Sequence, residues 1–431
     1  MSTKAELIDI YKRLEGSYKP FGKEVGTYST PVNFKESLSI PIHRWYAYKE
    51  GFSPSFVRNF INSYSKSDDD VVFDPFGGIG TTGLEAILLN HPAYSMDVNP
   101  LGIFATRVKT HCYNSDEVEK LLSIVETLNR IDDYTISCEI NNSTVESYFS
   151  PITWNALLKM KSFIKSIDNN VCSELLLLAL LSLVDEISTH RKDGNGVKRK
   201  RILPSPYDFA SLKELMVKRI NLFLEDINTT GKINQRCTII ESSNIQDYTL
   251  ERKADIVLTS PPYANCFDYS KVYLTELWVG DFFTNKSDQK SFREQSISSH
   301  VHYRWSERNS EYKPSIIEQN VLPLLTAEKL WSDNIPNMLS GYFGDMGHFL
   351  KNLSKNLNAG ATIGIVVGNS VYGGIPIATD LILTNMAEEF GYEPLKIEVY
   401  RQIVASAQQM IRLNDAEKHF VRESLIILKW Q

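Results

Sequence analysis

The sequence predicts an α/β fold built on a mostly parallel sheet with helices on both faces. Three observations lead there. Short apolar runs alternate with stretches of helical periodicity, the pattern of strands joined by crossover helices. Runs such as Val71-Val72-Phe73 are continuously apolar, as in strands buried on both faces. Two of the strands lead straight into unusual motifs, Asp74-Pro75-Phe76-Gly77-Gly78-Ile79-Gly80-Thr81-Thr82-Gly83 and Thr259-Ser260-Pro261-Pro262-Tyr263.

In chain order, residues 1–68 read as a lead-in with one helix over 53–65, where Phe56, Val57, Phe60 and Ile61 recur at helical spacing. A strand at 71–73 precedes the glycine motif, and a helix follows over 83–90. A second strand at 94–97 ends in Asp97, and a second helix covers 101–108. From about 116 to 233 the apolar residues keep helical spacing only, so a helix-rich block interrupts the alternation. Strands resume at 237–240 and 255–258. A polar, aromatic stretch then runs to about 338, a helix spans 342–357, and a turn is expected at 358–360. Strands at 362–367, 394–400 and 424–430, with a helix at 381–390, complete seven strands. The expected organisation is a lead-in and cofactor-binding half at 1–110, a helical insertion at 111–234, and a second half at 235–431 carrying a polar insertion at 284–340.

With 42% hydrophobic and 23% charged residues the composition is that of an ordinary globular chain. The five cysteines are scattered and form no CxxC pair, so neither a zinc site nor a disulfide framework is expected. The first residues lack an apolar signal core, and the longest apolar run, 175–184, is shorter than a bilayer crossing. The expectation is a cytoplasmic protein with no membrane contact. A net charge of −6 argues only weakly against a nucleic-acid partner, because the location of charge matters more than its sum.

Gly78-x-Gly80-x-x-Gly83, with Asp97 about 20 residues on, matches a dinucleotide fingerprint. The glycines let backbone N–H groups approach a ligand, and the acid takes ribose hydroxyls. On this motif alone a nicotinamide enzyme stays open. Asp74 shifts the balance, because a carboxylate beside the turn repels a pyrophosphate and attracts the ammonium of an amino-acid-like cofactor such as S-adenosylmethionine. The second motif is sharper. An aromatic amine is a poor nucleophile because its lone pair is shared with the ring. Hydrogen bonds to Ser260 Oγ and the Pro261 carbonyl favour a pyramidal nitrogen that can attack a methyl group. Pro261 and Pro262 fix the backbone that holds those acceptors. Tyr263 offers a ring on which a base turned out of its helix can stack.

With these two motifs the chain resembles the amino-methyltransferases of DNA, which carry a first motif of the form Asp-Pro-Phe-x-Gly-x-Gly-Thr-Thr and a catalytic [Asn/Asp/Ser]-Pro-Pro-[Tyr/Phe]. The resemblance covers 34–110 and 235–430, and leaves out the helical block and 284–340. It implies a Rossmann-like class I methyltransferase sheet, mostly parallel with seven strands, carrying a large helical insertion. It implies that S-adenosylmethionine is held by Asp74, Phe76, Gly78, Gly80, Thr82 and Asp97, with Phe52 and Ser53 closing over its methionine end. Where the family often has Gly-Asp-Ser to contact the cofactor adenine, this chain has Glu241-Ser242-Ser243, which leaves the contact to Ser242 or Glu241. Ser260, Pro261, Pro262 and Tyr263 match the catalytic motif. The Ser-Pro-Pro-Tyr form is most frequent in enzymes that make N4-methylcytosine, and some N6-adenine enzymes share it. An RNA amino-methyltransferase and a non-catalytic DNA-binding subunit stay open as alternatives.

Two further segments concern the substrate. The run 190–201 gathers Arg191, Lys192, Lys198, Arg199, Lys200 and Arg201 in an otherwise acidic chain, as a phosphate-following loop does. The segment 299–305 mixes aromatics with Arg304, as base-reading loops do. Double-stranded DNA with a flipped target base is the expected partner, with cognate restriction or defence subunits alongside. His300 and His302 lack nearby acids or cysteines in a clear ligand pattern, so no metal is expected. Cytosine C5 chemistry is rejected because the one cysteine near the motif, Cys266, does not follow a proline.

Overall fold

Strand order and direction define the architecture of this computed structural model, which describes the chain apart from residues 1–2, 23–33, 49–50, 52, 195, 232, 234–235, 241–246, 304–311 and 404–410. The strands are β1 (Phe21–Gly22), β2 (Val72–Asp74), β3 (Ala93–Met96), β4 (His190–Asp193), β5 (Gly196–Arg199) and β6 (Cys237–Ile240). There follow β7 (Ala254–Thr259), β8 (Leu357–Gly368), β9 (Ser370–Tyr372), β10 (Ile375–Ile377), β11 (Tyr392–Gln402) and β12 (Arg422–Trp430). Eight of them form one sheet in the order β1-β11-β12-β8-β7-β2-β3-β6. Only β12 runs against its neighbours, being antiparallel to both β8 and β11. This is the mostly parallel α/β sheet that the sequence predicts. All seven expected strands are present in it, and among the described residues the two-residue β1 adds a parallel edge beside β11 that is too short to read from sequence.

The sheet is buried on both faces, and alternate residues go to opposite sides. Val72, Ile256, Leu258, Val366 and Leu425 join one apolar cluster. Phe73, Val257, Ile363, Ile365 and Val367 join the other, under helices Ile335–Lys355 and Thr379–Glu389. The helical block contributes Ser115–Arg130, Pro151–Lys165, Asn170–Ile187 and Phe209–Thr230. Its side chains, among them Leu121, Leu157, Leu180 and Phe223, belong to the same cluster as the first sheet face, so the block shares its core with the sheet.

Three local readings differ from expectation. The turn expected at 358–360 is part of β8: Asn358 Nδ2 donates to Asp255 Oδ1 at 2.8 Å, and the register slips between Ala254 and Ile256 to take up the irregularity. The basic run folds as the antiparallel hairpin β4–β5. The polar stretch after Tyr263 contains helices Lys286–Gln295 and Leu322–Ala327. No helix among the described residues is long and apolar enough to cross a membrane.

Candidate active site

The carboxyl ends of β2, β3 and β7 open on one cleft, as ligand sites in such sheets do. It is lined by Asp74, Phe76, Gly78, Asp97, Ser260 and Pro262 among others. The two sequence motifs therefore meet, although they lie far apart in the chain.

The glycine motif forms a tight turn into helix Thr81–Leu88. Gly80 has φ +75°, and a Cβ there would lie 2.4 Å from Thr106 Cγ2, so conformation and space both demand glycine. Gly78 N donates to Asp97 Oδ2 at 2.7 Å, which fixes the acid at the end of β3 against the turn. Asn99 N bonds the other oxygen, also at 2.7 Å. From below, the buried Lys109 Nζ donates to the Ile79 carbonyl at 3.0 Å. Asp74 is buried and accepts from Phe76 N at 3.1 Å and from Thr259 Oγ1 at 2.7 Å. This last bond ties the end of β7, and so the start of the Ser-Pro-Pro-Tyr segment, to the cofactor turn. Burial pushes the carboxyls of both Asp74 and Asp97 up to about 6, against the hydrogen bonds each accepts.

Tyr263, in the segment after β7, is half-buried against Gly368 at the end of β8, with its phenol donating to Glu423 Oε1 at 3.1 Å. Burial, then the Glu423 charge, raise the phenol well above its ordinary value, so it stays a donor. Pro261 is buried, and neither it nor Tyr263 is in the cleft lining.

Other expected cofactor residues stand back from the cleft lining. Thr82 is buried, with Oγ1 3.5 Å from the Leu258 carbonyl. Ser53 is buried as the N-cap of helix Pro54–Tyr64 and bonded to Glu36. Phe52, Ser242 and Arg304 lie outside the described residues.

The cleft also has walls that the motifs do not announce. Tyr48 stacks on Tyr273 with ring centroids 4.8 Å apart and lines the cleft beside Gly78. Phe292, Gln295 and His300 from the polar insertion form the facing wall. Here the premise of isolated histidines is corrected, because folding brings the Asp268 carboxylate to 3.5 Å from His302 Nδ1 and near His300. Arg293 Nη2 already donates to that carboxylate at 2.9 Å, and Ser270 N and Oγ donate to its other oxygen at 3.0 and 2.6 Å. Asp268 is thus satisfied by side-chain and backbone donors.

A family model described as DNA methylase, of N6/N4 type, matches residues 18–149. The Type II methyltransferase M.BsoBI of Geobacillus stearothermophilus is 27% identical over an alignment covering 93% of this chain and 88% of its own. M.AvaI of Nostoc sp. is 27% identical over 85% of this chain and 82% of its own. M.MvaI of Kocuria varians is 21% identical over 84% of each. The family model and these relatives support a place for the chain among the DNA amino-methyltransferases. That similarity implies a methyl donor of the S-adenosylmethionine type, and the cleft offers two carboxylates and a glycine turn beside the apolar Phe76 and Ile79.

The basic residues of β4–β5 and the segment after it are divided. Arg191, Lys198, Arg199 and Arg201 are exposed. Lys200 Nζ is turned back onto the Asp185 and Glu186 carbonyls, at 2.5 and 3.1 Å. Lys192 departs from the expectation of a DNA-facing cation. It is buried, paired with Glu276 and with Asp185 at 3.3 Å, and lies 5.0 Å from the Tyr273 ring centroid. Burial disfavours its charge, but Glu276 and Asp185 outweigh that and raise its pKa. Strand alternation explains the split: in β4, Arg191 and Asp193 face out and Lys192 faces in.

Proposed function

We propose that the protein transfers a methyl group from S-adenosylmethionine to the exocyclic N4 amine of cytosine in double-stranded DNA. Its setting is a cytoplasmic restriction–modification or phage-defence system. The observation that carries the reading is the Thr259–Asp74 hydrogen bond, which holds the Ser-Pro-Pro-Tyr segment and the glycine turn on one cleft. The cofactor, when bound, supplies an electrophilic methyl group. Asp97 takes its ribose hydroxyls, Asp74 and the turn take its amino-acid end, and Ser260 Oγ with the Pro261 carbonyl accept hydrogen bonds from the target amine. Tyr263 stacks on the flipped base. The neutral serine at the head of the motif favours cytosine over adenine. The helical block, with its β4–β5 hairpin, and the polar insertion read the target.

The test is methyl transfer from labelled S-adenosylmethionine to unmodified genomic DNA, followed by nucleoside analysis. N4-methyldeoxycytidine supports the reading. N6-methyldeoxyadenosine would overturn the choice of base, and label in transfer RNA alone would overturn the DNA substrate.

Cofactor affinity is expected to depend on pH. The two carboxyls must ionise to hold the cofactor, so affinity falls as pH drops through about 6. Stability of the unliganded protein runs the other way. Both folded-state pKa values lie above the unfolded ones, so the stability these groups contribute is full below about 4 and is lost as pH rises through 6. Titration calorimetry between pH 5 and 8 checks the first, and a pH-independent affinity would refute it.

The hairpin makes a separate expectation. Replacing Lys198, Arg199 and Arg201 together with glutamine weakens DNA binding and flattens its salt dependence, by about 0.9 in log–log slope per lost phosphate contact. Fluorescence anisotropy at several salt concentrations reads both, and an unchanged slope would exclude phosphate contacts from the hairpin.

A further inference from the structure

The Tyr263 ring sits in a slot at the end of β8. A Cβ at Gly368, the last residue of β8, would lie 2.7 Å from Tyr263 Cδ2, so only glycine leaves room for the ring there. Across the strand pair, Gly368 is in register with Glu423 of β12. Glu423 is buried, and its Oε1 accepts the Tyr263 phenol at 3.1 Å. On the next strand Arg401 is in register with Glu423 in turn. Its Nε reaches Glu423 Oε2 at 2.8 Å and its Nη2 reaches Oε1 at 3.2 Å, a two-pronged pairing that holds the carboxylate in one orientation. Three adjacent strands thus supply an empty space, an acceptor and a clamp for one aromatic ring. Neither Glu423 nor Arg401 belongs to either motif.

We propose that Glu423, oriented by Arg401, is a positioning residue for the methyl-transfer step. It fixes the Tyr263 ring through its phenol and, through the rigid Pro261-Pro262 link, the acceptors that meet the target amine. Tyrosine rather than phenylalanine at the end of the motif then has a reason: the hydroxyl is the handle by which the ring is held. A free ring rotates and shifts, and a displacement near 1 Å at a reacting centre costs about a hundredfold in rate. The inference rests on the reading of Tyr263 as the stacking platform for the flipped base.

The experiment measures kcat on unmodified genomic DNA with tritiated S-adenosylmethionine, beside calorimetric cofactor affinity and thermal melting. Tyr263→Phe and Glu423→Ala are each expected to lower kcat about 10- to 100-fold while cofactor affinity stays at the wild-type value. Combined, they should do no more than either alone, because both remove the same contact. Glu423→Gln, which keeps an acceptor for the phenol, should recover most of the rate. Wild-type kcat in Glu423→Ala, or additive losses in the double variant, would overturn the inference. So would a fall in cofactor affinity and melting temperature that matches the loss of rate, since that marks a merely structural role. Failure of the wild-type protein to methylate any DNA would instead strike the proposed function itself, before any variant is compared.

Discussion

Ser260→Ala lowers kcat for DNA methylation by about 10²- to 10³-fold and leaves cofactor affinity unchanged. The magnitude is that of removing one preorganised hydrogen-bonding group from a reacting centre. Ser260 lines the cleft directly after Thr259, whose hydroxyl bonds Asp74 at 2.7 Å, so the serine is held by a segment already anchored to the cofactor turn. Alanine keeps the Cβ and the backbone between Thr259 and Pro261 and removes one acceptor for the amine. The Pro261 carbonyl remains, so a residual rate is expected. Single-turnover transfer of a labelled methyl group, with titration calorimetry of the cofactor, separates chemistry from binding. Full activity in the variant would remove Ser260 from the mechanism, and a parallel loss of cofactor affinity would make it a binding residue.

Asp380→Ala destabilises the fold by about 3–5 kcal/mol, the range for breaking a buried ion pair from one side. Asp380 is the second residue of helix Thr379–Glu389 and is fully buried. Its Oδ2 accepts from Arg422 Nε at 2.7 Å and Ser424 Oγ at 2.9 Å, and its Oδ1 accepts from Asn369 Nδ2 at 2.8 Å. Arg422 is itself 1% exposed, so removing the carboxylate leaves a buried guanidinium whose remaining ion pair among the described residues is with Glu15. The loss is read by chemical denaturation. A double variant, Asp380→Leu with Arg422→Met, should recover much of it, because an apolar pair carries no desolvation cost. These residues hold the end of β8 to the start of β12, next to Gly368 and Glu423, so catalysis should weaken at temperatures where the single variant is still folded.

The sheet was legible because buried parallel strands are continuous apolar runs, and the cleft because both motifs end such runs. β1 was not legible, since two residues carry no periodicity. The β4–β5 hairpin reads as a loop from its charges alone, and pairing shows only in the register of His190 with Arg199. Lys192 shows the limit most clearly. In a run of like charges nothing local tells the one inward-facing cation from its neighbours, because its partner Glu276 lies on a distant helix and in an unrelated segment. Contact of Asp268 with His302 and the facing wall from Phe292 to His300 were equally invisible, being products of a long loop folding back. Glu423 and Arg401 sit within ordinary strand sequence and become visible only through their register with Gly368.

Buried Lys192 has a consequence for length scales. Its ammonium is pinned between Glu276 and Tyr273, and Tyr273 stacks on Tyr48 in the cleft wall, so the exposed arginines of the hairpin stand at a set distance from the cofactor turn. In the DNA reading the hairpin then works as a ruler. Where it rests on the phosphates decides which nucleotide along the strand comes opposite Ser260, and lengthening or unpinning the hairpin would move the methylated position along the DNA.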